Sequence, residues 1–145
     1  MGRVHKTATV PYSAKEMYSL VNDVESYPEF LPWCTAAEVF DPQPDRLRAT
    51  ISLAAGKIKQ EFTTENTMEP DRRIDVRLVS GPFRYLEGHW EFLPEANGDC
   101  TVALEMNFDF KNKIVKLALN KVFNHIVATL VDSFRERAAQ VYGQR

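Results

Sequence analysis

Apolar residues recur along this chain with two different periods, and the switch between them divides it. Between residues 35 and 110 they mostly alternate with polar ones, the pattern of strands with one wet and one dry face. From Lys113 to Tyr142 they return every third or fourth position, the pattern of a helix with one buried face. The helical stripe is Val115, Leu119, Val122, Phe123, Ile126, Val127, Leu130, Phe134, Ala138 and Val141, uninterrupted by Pro or Gly. Asn112 stands where an N-cap belongs. Such a helix spans about 45 Å, more than a small sheet needs for cover alone.

The strands follow one another closely. Residues 35–41, 46–54, 57–68, 73–79, 84–93 and 100–110 read as strands, preceded by a first one at 4–10. Turn residues fall between them: Asp41-Pro-Gln-Pro-Asp45, Ala55-Gly56, Glu69-Pro-Asp71, Gly81-Pro82 and Asn97-Gly98. Connections this short predict an antiparallel sheet of about seven strands with its helices set apart, an α+β protein. After the first strand, Ser13-Ala-Lys-Glu16 matches a capping box, and Met17, Leu20, Val21 and Val24 give the helix that follows a buried stripe. That helix is expected to end near Asn22 or Asp23, with a second short turn at 25–29. The chain of 145 residues is expected to form one domain, 1–145.

A sheet of seven strands is about 30 Å wide, whereas a helix is only about 10–12 Å across. The sheet must therefore wrap around the helix. Either the 16 aromatic residues fill the enclosed space or a hollow remains. The strand at 57–68 bears on the choice. Lys57, Lys59, Glu61, Thr63, Glu65, Thr67 and Glu69 fix its wet face, so its inward set is Ile58, Gln60, Phe62, Thr64, Asn66 and Met68. Three inward polar side chains require partners, water or a ligand, unless this is an edge strand wet on both faces.

Charge is unevenly spread. The net charge is −2, yet residues 111–145 carry seven basic and two acidic side chains, leaving that segment at +5 and the rest at −7. Lys113, Lys116 and Lys121 lie toward the N-terminal half of the helix, where its dipole disfavours cations. They read either as a solvated face or as contacts for anionic lipid, with Val115, Ala118 and Leu119 dipping into the interface. Cys34 and Cys100 form no metal-binding motif, and reduced thiols with a cytosolic location are the default expectation. No unbroken run of about 18 apolar residues predicts a membrane span.

Catalytic patterns are sparse. His5, His89 and His125 are far apart, and no metal-binding, phosphate-loop or nucleophile-elbow motif occurs. No paired acid and base is visible, so a non-enzyme is expected, although Arg84 or Tyr85 could polarise a carbonyl in a cyclase-like site. In Tyr27-Pro-Glu-Phe-Leu-Pro-Trp33, two prolines stiffen a segment rich in aromatics. It reads as a lid over a pocket mouth, through Phe30 and Trp33, or as core beneath a loop.

Three stretches carry a resemblance: Val21-Asn-Asp-Val-Glu-Ser-Tyr-Pro-Glu-Phe-Leu-Pro-Trp-Cys34, Gly81-Pro-Phe-Arg-Tyr-Leu-Glu-Gly-His-Trp-Glu-Phe92 and Phe134-Arg-Glu-Arg-Ala138. The chain resembles the coenzyme Q-binding START-type family, whose bacterial members include ribosome association toxins. The wider group holds polyketide cyclases, dehydrases and lipid-transfer domains. The resemblance implies a helix-grip (START/Bet v 1-like) fold and non-catalytic binding of ubiquinone or another polyprenyl lipid in support of respiratory electron transport. It implies no cofactor or metal. Pro32-Trp33-Cys34 looks more like the quinone-binding branch than the toxin branch. In that reading Phe62, Met68, Leu86, Trp90, Phe108, Val122, Ile126 and Leu130 hold the tail. Gln60, Thr64, Asn66, Arg84 or Tyr85 orient the head. The protein would be cytoplasmic, or peripheral at the inner face of the respiratory membrane. One alternative is a toxin or translation factor on the large ribosomal subunit, using the basic helix; another is a cyclase-like enzyme. DNA is not an expected partner.

Overall fold

Seven strands hydrogen-bond in the order β1-β7-β6-β5-β4-β3-β2, every neighbouring pair antiparallel. The computed structural model describes residues 2–145. Its strands are β1 (Gly2–Val10), β2 (Cys34–Gln43), β3 (Arg46–Ala55), β4 (Ile58–Glu69), β5 (Arg73–Ser80), β6 (Phe83–Pro94) and β7 (Cys100–Phe110). Helix α1 (Ala14–Asn22) and a 3₁₀ turn (Val24–Glu29) link β1 to β2, and the long helix α2 (Lys113–Tyr142) closes the chain. Only β1 and β2 are edges, because the meander from β2 to β7 ends beside β1. This is the α+β helix-grip arrangement that the two hydrophobic periods and the resemblance imply.

Local chemistry fixes the elements as read. Ser13 accepts from the Glu16 N–H while the Glu16 carboxylate accepts from the Ser13 N–H, a complete capping box that starts α1. The side chain of Asn112 accepts from the Val115 N–H at 2.9 Å and starts α2. By length and composition α2 could cross a membrane, but Leu119, Phe123, Ile126, Val127, Val131, Phe134 and Ala138 are buried against the rest of the protein. One correction falls at its end. Val141 is 49% exposed, because in the last turns the inward positions pass from Phe134 and Ala138 to Tyr142.

The C-terminal end of α2 is pinned. Arg145 grips the Glu16 carboxylate with two N–H donors at 2.7 and 2.8 Å and lies over the Tyr12 ring. This grip, together with the Ser13 N–H, holds the Glu16 carboxyl at about 2. The Tyr142 hydroxyl donates to the Glu16 carbonyl, and Tyr12 donates to the Gly143 carbonyl. One turn inside, Arg137 pairs with Glu29 at 3.0 Å. No comparable polar clamp exists among the described residues over the first turns of α2.

Gly88 sits mid-strand in β6, opposite Met106 of β7 and Val76 of β5. A Cβ there would lie 2.1 Å from the Glu105 carbonyl oxygen and 2.9 Å from the Met106 Cα. The β7 backbone occupies that space, the kind of close approach that marks a bend in a strongly curved sheet. Gly88→Ala is therefore expected to lower unfolding free energy by about 2–3 kcal/mol in urea denaturation, since backbone must move. An unchanged midpoint would show that the strands separate there freely.

Candidate ligand cavity

The dry face of the sheet and the inner face of α2 do not meet everywhere. α2 packs on β1, β7 and α1, and a cavity of about 90 Å³ remains between it and the middle of the sheet. Trp33, Phe62, Thr64, Asn66, Leu86, Trp90, Ile126 and Leu130 line it, all of them candidates from the sequence. Further walls come from Val21, Val24 and Tyr27 near the first helix, Ala49 and Ile51 of β3, Ile74 and Val76 of β5, Met106 of β7, and Phe123, Val127 and Phe134 of α2. Most of these were legible as core by alternation. Nothing in the sequence separated cavity wall from solid core.

The space is small. It holds a handful of water molecules, whereas sites for drug-sized ligands are typically about 300–1,000 Å³. The aromatic residues do fill most of the interior. Phe83, Phe108, Phe110 and Phe123 pack together beside the cavity, with Phe108 and Phe123 ring centroids 4.8 Å apart. Trp90, Tyr27, Phe30 and Phe134 form a second group, with Trp90 and Phe134 edge to face at 5.3 Å.

One polar pair lies in this apolar wall. Thr64 and Asn66 are 5% and 8% exposed, and the Thr64 hydroxyl donates to the Asn66 side-chain oxygen at 2.9 Å. Asn66 lines the cavity, and its amide nitrogen has no protein partner among the described residues; the fully buried side-chain atom left without a partner is a different one, Asn22 Oδ1. The Asn66 amide is therefore not sealed in the core and is free to donate to an acceptor that enters the cavity. The Tyr27 hydroxyl is already committed, donating to the Val21 carbonyl, and burial pushes its pKa far up. No Asp, Glu, His, Lys or Arg lines the cavity among the described residues.

Several sequence candidates lie elsewhere. Gln60 is exposed because β5 ends opposite Thr63, so the first residues of β4 run on past it with β3 as their sole neighbour. The wet-edge reading thus holds for the start of β4 and the inward polar reading for Thr64 and Asn66. Arg84 and Tyr85 are both outside: Tyr85 stays in register opposite Asp109, next to the inward Leu86, and a bulge between Phe83 and Tyr85 puts Phe83 instead of Arg84 opposite Phe110. Arg84 is exposed, bonds the Asp109 carboxylate and lies over the Tyr85 ring. Met68 and Phe108 are buried but belong to solid core. Phe30 packs on Phe134 at 5.2 Å with Arg137 over its ring, leaving the wall position to Tyr27.

Val122 faces an outer groove of about 600 Å³, bounded by Pro32, Trp33, Ala55, Lys121, His125, Ile126, Thr129 and Ser133. Trp33 and Ile126 border both spaces, so they form the partition between groove and cavity. Cys34, next to Trp33, is buried, and desolvation pushes its thiol up to about 11. Burial likewise pushes the Cys100 thiol up to about 11. Both are neutral fillers at physiological pH.

Comparison with known proteins places this geometry. Residues 10–135 match the model of the family described as polyketide cyclase/dehydrase and lipid transport. The ribosome association toxin RatA of Escherichia coli K12 is 40% identical over 145 residues, covering 100% of this chain and 92% of that protein. The mitochondrial coenzyme Q-binding protein COQ10 homolog B of Xenopus laevis is 26% identical over 138 residues, covering 92% of this chain and 57% of that protein. A START superfamily protein from Mycobacterium smegmatis shares the fold with a TM-score of 0.75 at 21% identity, over 96% of this chain and 98% of that one. Identity is higher to the RatA chain than to the quinone-binding homologue, so Pro32-Trp33-Cys34 does not by itself assign the branch.

Replacing both members of the polar pair tests whether it holds the fold or serves a ligand. Thr64→Val with Asn66→Leu replaces both partners of a buried hydrogen bond by apolar groups and fills part of the cavity, so unfolding free energy should be unchanged or higher by up to about 2 kcal/mol. A loss of comparable size in urea melts would make the pair structural.

Proposed function

The chain belongs to the polyketide cyclase/dehydrase and lipid transport family, and from that membership and the cavity we propose that it is a non-catalytic, single-domain binder of a hydrophobic small molecule with a carbonyl-bearing head. Ubiquinone, or a related polyprenyl lipid, is the ligand of choice, and its handling in the bacterial cytoplasm would support respiratory electron transport. The carrying observation is the Asn66 amide donor in an otherwise apolar chamber, with Thr64 fixing its orientation. A quinone ring offers that donor a carbonyl acceptor and offers the surrounding aromatics a flat apolar face. Resemblance to a chain named for coenzyme Q binding supports the same choice.

At about 90 Å³ the chamber has no room for a prenyl tail. Binding a prenylated ligand therefore requires Trp33 and Ile126 to part, letting the tail lie in the outer groove along α2. Each buried methylene adds about 0.8 kcal/mol, so a loosely fitting groove suffices for the tail. Because the described cavity wall carries no ionisable side chain other than the committed Tyr27, the protein would hold the ligand without transforming it.

One observation favours a second reading. The RatA chains at 40% identity are named for ribosome association, and the basic side chains of α2 suit an RNA partner. Co-sedimentation with large ribosomal subunits that weakens steeply with salt would support it.

Trp33 and Trp90 are the only tryptophans and both border the cavity, so intrinsic fluorescence reports on it directly. Titration with a short-tailed ubiquinone analogue should quench that fluorescence saturably. The Thr64→Val, Asn66→Leu variant should weaken binding about tenfold, as expected for one lost hydrogen bond. Absence of saturable quenching, together with no quinone in organic extracts of freshly purified protein, would overturn the proposal.

A further inference from the structure

The first two turns of α2 invert the expected orientation. Val115 is half-buried and Leu119 is buried, so two of the three residues expected to meet an interface face the protein instead, and only Ala118 is exposed. Ile114 and Leu117 point outward, 80% and 87% exposed. A pair of large aliphatic side chains this bare, one turn apart, has no role in the fold. Around them stand Lys111, Lys113, Lys116 and Lys121, all exposed and none paired with a carboxylate among the described residues. No acidic residue occurs between Asp109 and Asp132.

From this combination we propose that the N-terminal end of α2 docks on an anionic lipid bilayer, with Ile114 and Leu117 inserted among the acyl chains and the lysines on the headgroup phosphates. Charge complementarity names the surface, and the aliphatic pair selects a bilayer over RNA, since phosphates and bases offer an exposed Ile or Leu little. The chain's other charge supports the orientation: the remainder outside 111–145 carries −7 and is repelled by such a surface, leaving this end to approach.

Position gives the docking a purpose. On a helix, Ile114, Leu117, Ala118, Lys121 and His125 fall on one flank, and Lys121 and His125 already edge the outer groove at Trp33. Ile114 and Val122 are eight residues apart, about 12 Å along the axis. A bilayer at Ile114 and Leu117 therefore lies at the end of the groove that leads to the cavity partition. The tight clamp of Arg145 and Tyr142 is at the opposite end of the same helix, so docking engages its less tethered end. This inference does not depend on the identity of the ligand.

Sedimentation with large vesicles tests it. Wild-type protein should pellet with an equal mixture of phosphatidylcholine and phosphatidylglycerol and remain in solution with phosphatidylcholine alone. Ile114→Asn with Leu117→Asn should reduce partitioning at least tenfold, as should Lys113→Gln with Lys116→Gln and Lys121→Gln. All five positions are exposed, so thermal melts should match wild type. Failure of the wild type to pellet, equal binding to both lipid mixtures, or full binding by the Asn variant would each overturn the proposal. So would loss of ribosome co-sedimentation or of self-association in these variants without any vesicle binding, which would assign the surface to RNA or to a second copy of the chain.

Discussion

One helix is too narrow to cover seven strands, and the structure is arranged around that mismatch. The sheet compensates by curving, with Gly88 letting β7 approach β6 where a side chain would block it. Aromatic clusters then close most of the remaining gap on either side of α2. What they leave is a chamber of about 90 Å³ between the helix and the centre of the sheet, with a single polar pair in its wall. Apolar side chains could fill such a space at no cost to stability, and the proposed ligand would give Thr64 and Asn66 their reason to be there.

The two ends of α2 differ in how they are held. At the C-terminal end, a bidentate ion pair, two tyrosine hydroxyls and a second ion pair tie the helix to α1, the 3₁₀ turn and their flanks. Over its middle, from Lys121 to Ser133, the helix borders the groove, with Trp33 and Ile126 as the partition behind it. The proposed expansion of the chamber would be cheapest there, because it would move a few packed side chains and break none of the ion pairs. Docking by Ile114 and Leu117 would place that opening against a reservoir of hydrophobic ligands.

The sequence announced the elements closely, since alternation and turn residues bracket each strand and Ser13-Ala-Lys-Glu16 and Asn112 mark both helix starts. Thr64 and Asn66 were legible as inward polar residues because β4 keeps strict alternation there. Gln60 and Arg84 were not, for two separate reasons. The offset between β4 and β5 exposes Gln60, and the bulge after Phe83 takes the inward place from Arg84, and neither feature leaves a mark in composition, whereas Tyr85 lies outward by plain alternation from Leu86. Ile114 and Leu117 escaped because they lie off the buried stripe that Val115 and Leu119 continue, and the apolar period does not mark an aliphatic residue left outside it. The size of the cavity depends on how rings interlock, which no periodic pattern encodes.

The account stands or falls on whether the interior opens to a quinone. Methyl NMR on protein labelled at Ile, Leu and Val offers the most direct view, because Ile51, Ile74, Leu86, Ile126 and Leu130 surround the chamber while Ile114 and Leu117 serve as distant reporters. With a soluble ubiquinone analogue in the absence of lipid, the chamber methyls should shift and show intermolecular contacts to the quinone ring, with Ile114 and Leu117 unmoved. Shifts confined to surface methyls, with the chamber resonances unchanged at saturating analogue, would contradict it.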